Sequence, residues 1–458
     1  MFSFMKQAPG FYKQVAFLAA PIVLQNLITS ALGMADTCMV GMLGEAPMAA
    51  VTLANIPMFV VQLFIFGVQS GSSVLISQYW GKQEMESINR VLGVALWVVL
   101  VVSTLFAGVL LVCPVEFLSL FGNEPEVIAL AAQYGSIVGF SYVCNAFTMM
   151  YVAAYRSMER PQLGLYILVA SMATNTFLNW VLIFGKLGAP AMGVRGAATA
   201  TLIARLLEVT IVILHMMKNR FFRVHLHLLL RPGLDMTRRF LKYGGLVVCN
   251  ETMWGIGTSV FPTIMGHMAG STEILAAYTI AGNVEKITMV VAFGLASTAS
   301  IIIGREVGAG RADRILDVGK SLNTLAVMSG LTLGALLMLF VRLAAPAWVY
   351  PLFKLSPGAA SVATMMMTVM ALSMPLKDFN TVNIVGVLRG GGDVKAATLI
   401  DISPLWGVAI PYAALCGLVL KTTVLWVYLA FPLEQAVKFF IGIHRLRSGR
   451  WVRDLTRA

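Results

Sequence analysis

The feature that most constrains this chain is a succession of apolar stretches, each at least as long as the roughly 20 residues a helix needs to cross a bilayer. Twelve can be traced, near Val15–Leu43, Thr52–Tyr79, Val91–Cys113, Val127–Tyr155, Leu163–Phe184, Gly193–Met217, Phe240–Met268, Glu273–Ile303, Leu316–Phe340, Ser361–Leu388, Ala396–Leu418 and Thr422–Ile443. They are continuously apolar and do not alternate residue by residue, which favours helices over the strands of a barrel. Only 12% of the residues are charged, against roughly 25% in a soluble domain. Such a chain cannot clothe a water-facing surface and needs lipid around it. The expected fold class is an all-α membrane protein of twelve transmembrane helices.

The net charge is +12. Its distribution argues against a nucleic-acid partner, because the basic residues fall in short clusters between apolar stretches, where membrane orientation explains them. One set of loops holds Lys82 and Arg90, then Arg156 and Arg160, then Lys218, Arg220, Arg223, Arg231, Arg238 and Arg239. Arg305, Arg311, Arg314 and Lys320, then Arg389 and Lys395, continue it, and the tail adds Arg445, Arg447, Arg450, Arg453 and Arg457. The alternate loops hold only Lys186, Arg195, Arg342, Lys354 and Lys421. The positive-inside rule then predicts cytoplasmic termini in a multi-pass protein of the cell (inner) membrane, and an even number of spans agrees. The first apolar run reads as a span, not a cleaved leader.

The longest loop divides the chain near its middle, and the two sides repeat. Ala49–Val91 aligns without gaps to Ala276–Val318, with identities that include Gly67, Ser70, Ser73 and Gly81. Arg156 corresponds to Arg389 further on. Six spans per half keep both halves in one orientation, so the repeat is parallel, an arrangement used by transporters with a site between the halves. The expected organisation is an N-terminal six-helix lobe over 1–217, a cytoplasmic loop over 218–239, a C-terminal six-helix lobe over 240–443 and a basic tail over 444–458.

Ionisable groups inside a membrane cost about 2.5–3.5 kcal/mol or more, so each needs a reason. Arg205 with Glu208, and Glu434 with Lys438, are spaced three and four apart, which stacks each pair on one helix face as an ion pair. Glu285 and Lys286 are adjacent and cannot pair in that way. Asp36, Glu251 and Asp378 lack a basic partner on the same face of their own helices. A lone buried carboxylate protonates or binds a cation, which is the chemistry of H⁺- or Na⁺-coupled transport; interhelical hydrogen bonds are the competing explanation. Asn175 and Asn179 share a face of span five, and Thr199 and Thr201 lie on span six. Their oxygens suit Na⁺ or a hydrogen-bonded carboxylate, although polar residues also hold membrane helices together. Pro21 precedes Asp36 on the same helix and is a hinge candidate, since proline removes a backbone hydrogen bond and bends a helix; a fixed kink accounts for it equally well.

No phosphate-binding GxxxxGK[ST] is present, which excludes an ATP-driven motor encoded in this chain. HExxH and GxSxG are also missing, so the reading is not an enzyme, with no cofactor beyond a coupling ion. Cys38, Cys113, Cys144, Cys249 and Cys416 sit in or at the ends of apolar stretches and read as small hydrophobes.

Three motifs make the chain similar to the multidrug and toxin extrusion (MATE) family. They are Met34-Ala-Asp36-Thr-Cys-Met-Val-Gly41, Asn175-Thr-Phe-Leu-Asn179 continuing to Gly193-Val-Arg-Gly196 and Thr201, and Gly386-Val-Leu-Arg389-Gly390-Gly-Gly-Asp393. The resemblance implies an antiporter that exports organic cations, drugs or toxins against H⁺ or Na⁺, with two six-helix lobes that open alternately to either side. It implies a first-lobe cation site at Asp36, assisted by Asn175, Asn179 and Thr199 or Thr201, and a second-lobe acidic site at Glu251 and Asp378. Small organic, cationic substrates and surrounding membrane lipids are the expected partners, and a monomer the expected state. One branch of the family has an aspartate at the position of Asn179, so a charge found there is missing here. A lipid-linked oligosaccharide flippase of the same superfamily and a non-transporting membrane scaffold or sensor are the alternatives.

Overall fold

The computed structural model describes residues 5–122, 124–353 and 355–456. Lys354 and Arg457, counted above among the loop charges, lie outside the described residues, as does the side chain of Cys38. Among the described residues twelve long helical rods follow one another. The first six are α1 (Phe11–Gly41), α2 (Glu45–Gly81), α3 (Met85–Val112), α4 (Pro125–Ser157), α5 (Gln162–Phe184) and α6 (Val194–Lys218). The second six are α7 (Leu234–Gly266), α8 (Ser271–Gly308), α9 (Ala312–Ala344), α10 (Pro357–Leu388), α11 (Val394–Val419) and α12 (Val424–Arg447). Among the described residues, eleven helices are long and apolar enough to span a membrane. The twelfth, α7, is long enough at 33 residues; Asp235, Arg238, Arg239, Lys242, Asn250 and Glu251 lower its hydropathy.

Proline does not end these rods. Pro21, Pro57, Pro262 and Pro375 all lie inside continuous helices. Among the described residues four stretches widen into π-helical turns, at 382–388 in α10, at 405–409 and 415–419 in α11, and at 345–349 directly after α9. Such turns are short departures from the regular ladder and often adjoin functional groups. The first ends directly before Arg389, and the second begins four residues after Asp401.

Two compact units result, residues 24–248 and residues 1–23 with 249–458. Their boundaries pass through α1 and α7 and not through the 218–239 loop, where the sequence placed the division. Close helix packing explains the shift. In the first unit a Cβ on Gly71 would lie 2.6 Å from the Cα of Gly244, and one on Gly67 would lie 2.9 Å from the Cα of Val248. Glycines four apart let α2 and α7 approach at backbone distance, the small-residue packing typical of membrane helices. In the second unit a Cβ on Gly294 would meet Val23 at 2.4 Å, and Val15, Leu18 and Ile22 join a core with Ala296, Ala299 and Leu388. Gly67 and Gly294 are equivalent positions of the repeat. Each half therefore lends the start of its first helix to the unit built by the other.

The tail over 449–456 folds back within the second unit. Trp451 is fully buried and donates its indole N–H to the carbonyl of Leu446 at 2.9 Å. The Arg453 amide donates to the Gly391 carbonyl at 2.7 Å. A Cβ on Gly391 would lie 2.3 Å from the indole ring of Trp451, and Gly392 has φ +90°. The three-glycine turn is thus a seat for the tail, where side chains or ordinary backbone would not fit. Asp393 holds the seat closed by accepting from Arg445 at 2.7 Å.

Candidate functional site: two buried polar clusters

The first unit carries a chain of hydrogen bonds around one acid. Asn179 donates to a carboxylate oxygen of Asp36 at 2.7 Å. The same amide nitrogen reaches Asn175 Oδ1 at 3.3 Å, and Asn175 donates to Thr201 Oγ1 at 3.4 Å. Asn175 and Asn179 are buried because α5 places them, one turn apart, on a single face. The carbonyl oxygen of Asn179 is itself buried and has no hydrogen-bond partner. Thr199 does not join this chain, since its hydroxyl donates to the Arg195 carbonyl on its own helix at 2.8 Å. Arg205, one turn beyond Thr201, is clamped by both oxygens of Glu208 at 2.9 and 3.0 Å. That pairing leaves Asp36 with neutral donors as its immediate neighbours, while the Arg205 guanidinium acts on it through space. Pro21 lies in the other compact unit, fifteen residues back along α1.

The second unit carries a web of ion pairs. Arg389 is fully buried and donates to Glu251 at 2.6 Å. Its other terminal nitrogen stands 3.6 Å from Asp401. Lys438 bridges Asp401 at 2.6 Å and Glu434 at 2.7 Å. Asn250 donates to Asp401 at 2.9 Å, and its own carbonyl oxygen is buried without a partner. Glu251 is therefore not a lone carboxylate: its cation arrives from α10, beyond the reach of same-helix spacing. Three carboxylates share two cations, leaving one negative charge in surplus. Each buried ion carries a desolvation cost of several kcal/mol, which only close pairing and hydrogen bonds offset.

Asp378 stands apart from this web. It is fully buried, and neither carboxylate oxygen accepts a hydrogen bond among the described residues. The buried Ser329 hydroxyl lies beside it as a potential donor. Its chain neighbour Lys377 turns away to pair with Glu285 on α8, which also settles the partner of Glu285. Asp401 goes unnoticed in the sequence, although a lone acid inside span eleven is the same signal that marks Asp36.

Among the described residues no group of three or more histidine, cysteine or acidic side chains is arranged to hold a metal ion. The four described cysteines are unpaired. The two units thus differ: Asp36 is half-buried with an amide donor, and Asp378 is buried outside the ion-pair web of its unit.

Twelve helical rods, with a buried acidic cluster in each of two repeated halves, define a multi-span membrane protein of the transporter class. The MatE family model matches residues 21–181 and 245–415, one segment in each half. The chain belongs to the MatE family. It is 23% identical over 452 residues to a probable multidrug resistance protein NorM of Thermotoga maritima, covering 97% of this chain and 94% of that protein. It is 25% identical to the uncharacterized transporter YisQ of Bacillus subtilis, covering 95% and 94%. Among solved structures, a variant of the Vibrio cholerae MATE transporter VcmN superposes with TM-score 0.85 at 16% identity, covering 97% of this chain and 98% of that one. The eukaryotic MATE transporter AtDTX14 superposes with TM-score 0.83 at 17% identity, covering 97% of each chain. At these identities the structural likeness speaks for the fold.

Proposed function

We propose that this protein is a cation-coupled antiporter that exports small organic cations, drugs or toxic metabolites by alternating access. The observation that carries the reading is an acid in each unit with no cation bound directly to it among the described residues: Asp36 among amides and a hydroxyl, Asp378 beside the Ser329 hydroxyl. Neutralising either one breaks no existing ion pair, so arrival and departure of a coupling cation is energetically feasible. A hard metal cation wants a shell of oxygen ligands. Asp378 has none that bond it, which fits H⁺. The Asp36 cluster offers the free carbonyl oxygen of Asn179 and the Thr201 hydroxyl, which fit either H⁺ or Na⁺. Acidic clusters also favour cationic cargo on electrostatic grounds. The names of the relatives, multidrug resistance proteins among them, agree with this reading. The charge bias of the loops supports an inner-membrane protein with both termini cytoplasmic.

The test is ethidium transport in membrane vesicles under an imposed proton or sodium gradient. Wild-type transport is expected to follow one of the two gradients, and Asp36→Asn to uncouple it. Equal transport with and without either gradient contradicts antiport.

A further inference from the structure

The segment between α6 and α7 is a built surface that the transport reading leaves unused. It joins two helices of the membrane domain directly, since α6 ends at Lys218 and α7 begins at Leu234, so it lies at the level of the lipid headgroups. Leu226 and Leu230, one turn apart, are 66% and 55% exposed, and Leu234 is 75% exposed. Around them Arg220, Arg223, Arg231 and Arg238 are exposed, as is Lys218, with Asp235 the one exposed acid among residues 218–239.

The exposure is not that of a loose loop. Leu228 and Leu229, on the opposite side of the same helical turn, are buried at 5% and 7%. A Cβ on Gly93 of α3 would lie 2.7 Å from the Leu229 carbonyl oxygen, so the turn rests on bare backbone there. Asn89 grips both strands of the entry, donating to the Arg223 carbonyl at 3.2 Å and accepting from the His225 amide at 3.0 Å. Arg90 donates to the Pro232 carbonyl at 3.2 Å, which fixes the exit.

A rigid row of leucines ringed by arginines matches an interface with an apolar floor and an anionic rim. We propose that residues 218–238 form a docking site for anionic phospholipid, with the three leucines among the acyl chains and the guanidinium groups on the headgroup phosphates. Long basic side chains reach from an apolar level to the phosphates, and buried apolar area plus anionic attraction is how interfacial segments bind. A nucleic acid would use the cations and leave the leucines in water. This inference is independent of the antiport reading.

The test uses the full chain purified in neutral detergent, with its thermal midpoint followed as phosphatidylglycerol, phosphatidylcholine or inorganic phosphate is added. Phosphatidylglycerol is expected to raise the midpoint saturably, and the other two are not. Combined Arg220→Gln, Arg223→Gln, Arg231→Gln and Arg238→Gln should shift half-saturation at least about tenfold. Leu226→Ser with Leu230→Ser should shift it several-fold while every charge is retained. All six side chains are exposed, so the lipid-free midpoints should stay at the wild-type value. Gly93→Leu, which lifts the turn off α3, should weaken lipid binding with the basic and apolar residues intact. The proposal is overturned if the arginine variant binds phosphatidylglycerol as the wild type does, or if phosphatidylcholine, phosphate or a single-stranded oligonucleotide protects equally well.

Discussion

The two clusters solve one problem in different ways. Around Asp36 the first unit places neutral amides and a hydroxyl, and sequesters its nearby cation on Glu208. Around Glu251 and Asp401 the second unit places a fully buried guanidinium and a buried ammonium. An acid of the first kind can change its charge without leaving a partner stranded. An acid of the second kind gives up a close ion pair when it does so: protonating Glu251 would leave Arg389 only its 3.6 Å contact with Asp401, and protonating Asp401 would leave Lys438 with Glu434 alone. The lesson is that a buried acid in a membrane protein has to be read with its neighbours. Within the second unit, Asp378 has the freedom of Asp36 and Glu251 does not.

The contrast is broken most severely by Arg389→Met. It strands Glu251 and leaves Asp401 to Lys438 alone, and is expected to cost about 3–5 kcal/mol of stability, seen as a large fall in the thermal midpoint in detergent. Placed on a Glu251→Gln background the same change should cost less, because one stranded charge is already gone. A wild-type midpoint for the single variant would mean that the web does not hold the unit together.

A smaller loss is expected at the first cluster. Asn179→Ala removes the 2.7 Å donor of Asp36 and should cost about 1–3 kcal/mol, the usual penalty for leaving a buried polar group unmatched. A larger loss than at Arg389 would reverse the ranking of the two clusters.

Asp378→Asn and Glu251→Gln differ in sign. The first removes a buried charge that has no hydrogen bond, so the midpoint should hold or rise; the second breaks a 2.6 Å ion pair and should lower it. Matching falls in both would show that Asp378 is held by a counter-charge after all. Thr199→Ala sets the floor. Its hydroxyl bonds only the preceding turn of its own helix, so stability should stay within about 0.5 kcal/mol and ethidium transport should be unchanged.

Much of this was legible in the sequence. Continuous apolar length specified the helices, and the offset repeat specified two halves. Asn175 and Asn179 were legible because i,i+4 spacing forces them onto one face, and the ion pairs Arg205–Glu208 and Lys438–Glu434 form on that same logic. Pairing between helices was not legible, because nothing local says that α10 will bring Arg389 onto Glu251 or Lys377 onto Glu285. The unit boundaries inside α1 and α7 depend on Gly67, Gly71 and Gly294, whose role is the space they leave for another helix. Thr199 was an even choice with Thr201 in sequence; helix phase decided for Thr201, which meets Asn175.

The central claim is that each unit holds an acid free to exchange its cation for cargo. It is tested most directly by adding tetraphenylphosphonium to the purified protein in weakly buffered detergent and reading proton release with an indicator dye. Release is expected from the wild type and none from the double variant with Asp36→Asn; Asp378→Asn alone should reduce release if Asp36 carries H⁺ and abolish it if Asp36 carries Na⁺. Undiminished release from the double variant would contradict the claim.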